Sequence, residues 1–166
     1  MNDTSARLGL PLMQAGQAQK EWTHNEALAL LDLAVQASVV AVGVNAPPPA
    51  PVPGQAWVVG PAPTGAWSDR PHAVAGWTEN GWRFLAAREG LALWSLADAR
   101  TVRFEGGAWR VGVLAGSRVT IDGIAVIGAQ RAQIIAPAGG AVFDAEARTA
   151  IAAILGALRG HGLIAS

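Results

Sequence analysis

Trp77-Thr78-Glu79-Asn80-Gly81-Trp82-Arg83-Phe84 decides the fold class. Asn-Gly is a strong signal for a tight hairpin, because both residues tolerate the positive φ such turns demand. Apolar and aromatic residues lie on both sides. The stretch therefore predicts strands over 73–78 and 82–86 around Glu79-Asn80-Gly81. A related stretch follows: Phe104-Glu105-Gly106-Gly107-Ala108-Trp109-Arg110-Val111. Each has an aromatic, an acidic and Gly-bearing turn, then Trp-Arg and an apolar residue. Two copies are too few for a solenoid or propeller. They predict equivalent hairpins in one small antiparallel sheet.

Working outward, Gln55 to Val59 reads as a strand ended by Gly60-Pro61, and Val39 to Val44 as a short β-branched one. Leu91 to Ser95, Thr101 to Phe104 and Ala108 to Val113 continue the series. Arg118 to Ile121 and Ile124 to Ile127 flank Asp122-Gly123, a second two-residue turn. Gln133 to Ala136 reads as a last strand. Residues 55–136 are thus expected to form one Trp/Gly-rich β module. Five Pro within 47–53 forbid helix and central strand. Residues 45–54 are therefore expected to be an extended connector and the boundary between modules.

Helices are expected at both ends. Thr23 and Glu26 have capping-box spacing, and Ala27, Leu28, Leu31, Ala34 and Val35 recur at helical period, so 1–44 reads as an N-terminal helical attachment or oligomerisation segment. Leu30 and Leu33 widen its apolar stripe, which suits packing on its own domain or on other copies. In 137–166, Asp144 is a candidate N-cap, and Ile151, Ile154, Leu155 and Leu158 share a stripe with Ala147 and Ala150. Gly160 or Gly162 is the expected C-cap. The fold class is α+β, mainly antiparallel β: an N-terminal helix, a small Trp-rich antiparallel β module and a C-terminal helix.

Composition narrows the function classes. Of 166 residues, 51% are apolar and 14% charged, which excludes a disordered chain. Twelve basic residues balance twelve acidic ones, leaving no basic stripe for phosphates, so no nucleic-acid partner is expected. Such a neutral chain has little self-repulsion to keep copies apart. With no Cys, disulfides and thiolate chemistry are excluded. No signal peptide is read at Met1 to Ser5, and the longest apolar stretch, Leu33 to Val44, is too short to span a bilayer. Synthesis in the cytoplasm and no membrane insertion are expected.

No catalytic constellation is legible. His24, His72 and His161 fall in separate segments without metal-ligand spacing, so no metal or cofactor is expected. Glu79, Glu89, Asp98 and Glu105 sit at or beside turns, where turn chemistry accounts for them. No serine lies in a nucleophile-elbow context. The chain is therefore expected not to be an enzyme. Asp69, Arg70 and His72 cluster after Trp67, as a polar contact loop or simply a solvated one. Among the seven Trp, Trp82, Trp94 and Trp109 read as core packing of a thin sheet. Trp67 fits either the core or an exposed surface that stacks on sugar rings. Trp67, Asp69, Arg70 and His72 are the candidate glycan contacts.

Leu8-Gly9-Leu10-Pro11-Leu12-Met13-Gln14-Ala15-Gly16-Gln17-Ala18-Gln19-Lys20, continued by Thr23-His24-Asn25-Glu26-Ala27-Leu28, resembles the opening of an uncharacterised family encoded in prophages and gene-transfer-agent clusters. Pro47-Pro48, Gly54, Thr64-Gly65-Ala66-Trp67, Gly81-Trp82-Arg83-Phe84, Arg88-Glu89-Gly90 and Gly107-Ala108-Trp109 extend the resemblance to about residue 110. Asp144 to Arg148 and His161 to Ile164 are similar to the tails of such phage-like proteins. The residues near Gln55-Ala56-Trp57 depart from the family's usual aromatic or acidic ones. The resemblance implies a head spike, fibre or baseplate-associated virion part. Its partners would be other virion proteins, copies of itself (a trimer first, a pentamer as alternative) and host capsular polysaccharide. The short chain favours an adapter or spike base. Leu10, Leu12, Gln17, Leu28, Leu31, Ile151, Leu155 and Leu158 are the candidate attachment and oligomer contacts. A stand-alone carbohydrate-binding module is the alternative function, and a cell-surface glycan hydrolase a remote one.

Overall fold

The computed structural model describes residues 4–14, 16, 20–140 and 144–166. The fold is α+β, with two helices and three mostly antiparallel sheets. The chain divides into two compact units, residues 1–113 and 114–166.

In the first unit, α1 (Lys20–Ala34) is followed by β1 (Ser38–Val39), β2 (Val42–Val44) and β3 (Ala56–Val59). Beyond the 3-10 turn η1 (Gly65–Trp67) come β4 (Val74–Thr78), β5 (Gly81–Leu85), β6 (Ala92–Ser95), β7 (Arg100–Glu105) and β8 (Ala108–Val111). They form two four-stranded sheets, ordered β2-β3-β4-β5 and β1-β6-β7-β8. Both have one plan: a short strand added in parallel to a three-stranded antiparallel meander. The two parallel strands come from one stretch of chain. Ser38 pairs with Trp94 in one sheet, and Val42 pairs with Val58 in the other. The expected single strand over 39–44 is therefore two strands that staple the sheets together.

The two related hairpins are equivalent but belong to different sheets, which corrects the expectation of a single one. Trp77 lies opposite Trp82, and Phe104 opposite Trp109, at matching places beside their turns. Both pairs meet edge to face, with ring centroids 4.9 and 5.3 Å apart, the arrangement favoured by the ring quadrupole. Glu89 closes the second turn by accepting from the amides of Gly106 and Gly107.

The β3–β4–β5 sheet is buried on both faces. Ala56, Val58 and Val74 join Leu33, Val39, Leu93 and Val102 in a core shared by both sheets and α1. The alternate residues Trp57, Val59 and Ala75 face a second core with Trp67, Trp77, Trp82 and Phe84. The period-2 alternation of strand side chains produces this split. Sequence placed Trp82, Trp94 and Trp109 in the core. Trp82 and Trp109 pack there half-buried, but Trp94 points outward from β6, 45% exposed. On the strand, Leu93 and Ser95 take the inward positions, which leaves Trp94 the outer face.

The proline run does not divide compact units. It leaves β2 and returns as β3, and these two strands are parallel neighbours. A parallel pair needs the chain carried back to the starting end, and an extended segment poor in N–H donors does this without sheet pairing of its own. Asn45 fixes its start, accepting from the Ala62 and Thr64 amides. The break between units lies instead at Val113–Leu114, inside the expected 55–136 module.

Helix α1 begins at Lys20, so Thr23 lies within it rather than capping it. Glu26 does not close a capping box either: its carboxylate takes both Nε (2.6 Å) and Nη2 of Arg83 on β5. A strap, residues 4–14, is tied to α1 through Asp32. This carboxylate is only 5% exposed and accepts from Ser5 Oγ and the amides of Arg7 and Leu8. The Arg7 guanidinium donates to the carbonyls of Asp32 and Gln36, supplying the positive charge that the last turn of α1 lacks.

The second unit holds β9 (Val119–Ile121), β10 (Ile124–Ile127) and α2 (Ala145–Gly160). Asp144 caps α2 as expected, its side chain accepting from the Ala147 amide at 2.9 Å. At the other end Leu163 N–H donates to Leu158 O and Gly162 N–H to Arg159 O, with Gly162 at φ 69°; this is a Schellman motif. Residues 133–136 are not a strand. The nearest pairing is a bridge between Arg131 and Ile164.

Candidate functional site

The polar loop after Trp67 forms a cleft. Trp67 is fully buried in the second core, in ring contact with Trp57 and Trp82. This corrects its candidacy as a glycan contact: a ring enclosed by other indoles offers no face to a sugar. It anchors the loop instead. From it the chain makes successive turns, with Arg70 N–H donating to Trp67 O and Ala73 N–H to Arg70 O. The far end is held twice. His72 N–H donates to Val59 O at 3.2 Å, and His72 O accepts from the indole N–H of Trp109 at 2.8 Å.

Asp69 and His72 both sit at φ 64°. Left-handed conformations are uncommon for residues with a Cβ, although Asp and His adopt them more readily than most. Strain of this kind persists where surrounding structure fixes it, and it concentrates at functional sites. Here it turns Asp69, Arg70 and His72 onto the lining of one cavity of about 340 Å³, with Phe84 and Phe104 as aromatic walls. The Arg70 guanidinium lies 5.4 Å from the Phe84 ring centroid, a cation–π contact.

Segment 24–110, slightly more than half the chain, matches the family model described as Protein of unknown function (DUF2793). The chain belongs to this family. The family segment contains α1 from its second turn, both sheets and the cleft, and ends before the 114–166 unit. No curated protein matches the chain.

The chemistry of the cleft suits recognition. It offers one carboxylate, a guanidinium, an imidazole and two aromatic rings. Glycoside hydrolysis needs two convergent carboxyls, and Asp69 is the one carboxylate among the described lining residues. Glu89 and Asp98 are committed to turns, Asp98 accepting from Ser95 Oγ at 2.6 Å. Among the described residues, no group of three His, Asp or Glu is placed to hold a metal ion, and no helix is long and apolar enough to cross a membrane. A second cavity of about 130 Å³ lies where the strap meets α1 and the β4–β5 hairpin. Its polar groups Asn25, Asp32 and Arg83 already have partners, so it is a packing seam.

The other candidate residues scatter. Leu31 and Ile151 are exposed, and Leu10, Leu12, Leu28 and Leu158 are half-buried. Leu155 is 4% exposed, which corrects its assignment as an oligomer contact. Gln17 lies outside the described residues. Sequence reading missed Asp32, Phe84 and Phe104. A lone carboxylate inside the apolar run Leu28 to Leu33 was the available signal for Asp32. The two phenylalanines carried no such signal: Phe84 ends the first of the related stretches and Phe104 opens the second, so the stretches do not match them to each other.

Proposed function

We propose that this protein is a non-enzymatic structural component of a phage-like particle: an adapter or base of a head spike, fibre or baseplate. It assembles with other virion proteins as a symmetric homo-oligomer, a trimer before a pentamer, and contacts cell-surface polysaccharide. The phage-like setting rests on the resemblance of residues 8–110. The observation that carries the contact role is the strained loop that holds Asp69, Arg70 and His72 against Phe84 and Phe104 in one cleft. Aromatic walls with a few fixed polar groups are the usual make-up of a sugar site. Two measurements test the reading. Mass spectrometry of purified particles from a producing strain should find this chain at a fixed stoichiometry; its absence refutes the particle role. Host capsular polysaccharide should bind the full chain, and Arg70→Ala should weaken binding at least tenfold. Unchanged binding by the variant removes the cleft from the reading.

A further inference from the structure

The two related hairpins place an arginine at the same register but answer it differently. One pair in from Trp77 and Trp82 lie Gly76 and Arg83, and one pair in from Phe104 and Trp109 lie Arg103 and Arg110. In the first sheet α1 covers this face. Leu33 rests on Gly76, and Glu26 takes Nε and Nη2 of Arg83. In the second sheet the equivalent face is open. Arg103 and Arg110 are both exposed, and among the described residues neither guanidinium has an ion pair or a hydrogen bond. Glu105 shares the face beside the turn and forms no ion pair with either. Like charges directly opposite one another destabilise a sheet. An anion lying between them reverses that cost.

The rest of the face follows from strand alternation. Leu93 and Val102 point into the shared core, so Ala92, Trp94 and Thr101 point out with the arginines. Ala92 lies opposite Arg103, and Trp94 opposite Thr101. These neighbours are small, and the Trp94 ring stands clear of them, 45% exposed.

We infer that this face binds an acidic polysaccharide: uronate carboxylates lie between Arg103 and Arg110, and a sugar ring stacks on Trp94. The inference rests on the polysaccharide part of the proposed function, gives the chemical class of that polymer and adds a second surface for it, apart from the cleft. Three observations select the occupant. At the equivalent place Arg83 is answered by a carboxylate on two of its nitrogens, the geometry that makes guanidinium–carboxylate pairs strong. A helix like α1 is excluded, because Arg103 stands where Gly76 leaves room for Leu33. Trp94 offers the flat apolar ring that suits the C–H face of a pyranose. Trp94 and Arg110 are two strands and two residues apart, roughly 12 Å at the spacings of a sheet, a span for a short run of polymer rather than one sugar. A nucleic acid would need a wider basic stripe than a chain of net charge zero provides.

The test titrates the full chain with polygalacturonate at low salt in a calorimeter, with neutral dextran as the control. Polygalacturonate should bind about tenfold more tightly than dextran or better, and the double variant Arg103→Gln, Arg110→Gln should lose about tenfold or more. Trp94→Ala should weaken binding as well. The variant Arg118→Gln, Arg131→Gln removes the same charge from exposed positions elsewhere and should bind as the native chain does. Removing a like-charge pair should leave the melting temperature of the first double variant no lower than native, so its lost binding is not lost folding. Equal binding of dextran, undiminished binding by that variant or by Trp94→Ala, or equal loss in the control variant overturns the inference. If Arg70→Ala is then the change that weakens binding, the cleft carries the polysaccharide role and the proposed function stands. No binding of polygalacturonate overturns the acidic class alone, because binding of host capsule is measured separately. Tighter binding of an oligothymidylate than of polygalacturonate would make the face a nucleic-acid surface and overturn the inference too.

Discussion

The indole N–H of Trp109 donates to the backbone carbonyl of His72 at 2.8 Å. Trp109 belongs to β8 of one sheet, and His72 ends the loop that leads into β4 of the other. The bond therefore ties the sheets together where the candidate cleft opens. It also fixes the carbonyl of a residue held at φ 64°. The same ring packs edge to face on Phe104, a cleft wall, so one side chain sets both loop and wall.

Trp109→Phe keeps an aromatic ring on the shared core but removes the donor. Losing one part-buried hydrogen bond and leaving its acceptor unpaired costs about 1–3 kcal/mol. Urea unfolding should show a loss of that size with an unchanged slope. Amide exchange at His72 and Ala73 should quicken more than in β3. Uniform exchange would show that the bond does not hold the loop.

Trp67→Ala and Trp94→Ala should separate widely. Trp67 is fully enclosed among indoles, and removing it leaves a large cavity, so a loss of about 3–5 kcal/mol is expected. Trp94 stands 45% exposed on the outer face of β6, and its loss should cost under about 1.5 kcal/mol. Thermal denaturation of both variants checks the order. Equal shifts would contradict this division of the tryptophans.

Those two residues also show where sequence sufficed. Turn chemistry located both hairpins, because Asn80-Gly81 and Gly106-Gly107 leave the chain few alternatives. The Asp144 cap was legible for the same local reason. Whether a Trp faces in or out depends on which neighbouring strand covers it, and local pattern does not carry that information. The number of sheets was hidden likewise. Parallel pairing of Ser38 with Trp94 and of Val42 with Val58 joins residues far apart in sequence. Proline-rich composition marked an extended segment correctly, but composition does not tell a linker from a crossover. Of the candidate site, the polar trio was visible as a cluster. Its aromatic walls come from β5 and β7 and became apparent only through tertiary packing.

Gly76→Ala should be costly although Ala is the smallest change available. A Cβ at Gly76 would lie 2.1 Å from Leu33 Cδ2 and 2.7 Å from Cδ1. Leu33 is 3% exposed and packed in the shared core, so its side chain must shift there to admit the Cβ. Overpacking of this kind costs about 1–3 kcal/mol. Leu33→Ala alone should cost about 2–5 kcal/mol. The double variant should lose clearly less than the two together, because contacting residues are not additive. Additive losses in urea titrations would show that α1 does not rest on Gly76.

Asp32→Asn tests the strap. Asp32 Oδ1 accepts from Ser5 Oγ at 2.7 Å and from Leu8 N–H at 2.7 Å, and Oδ2 accepts from Arg7 N–H at 3.1 Å. A carboxylate only accepts, whereas one end of an amide only donates. The shape is kept, but either orientation of the amide sets an N–H₂ against a donor of the strap. An unsatisfied group in so enclosed a place costs about 1–3 kcal/mol, and the strap is where that cost can be relieved. Residues 4–14 should therefore detach before the sheets unfold. Arg7, tied to the Asp32 and Gln36 carbonyls, becomes accessible, so trypsin should cut after it many times faster in the variant. Mass spectrometry of a short digest reads this directly, while the Trp circular dichroism of the sheets should stay unchanged. Cleavage after Arg7 at the native rate would mean that Asp32 does not hold the strap.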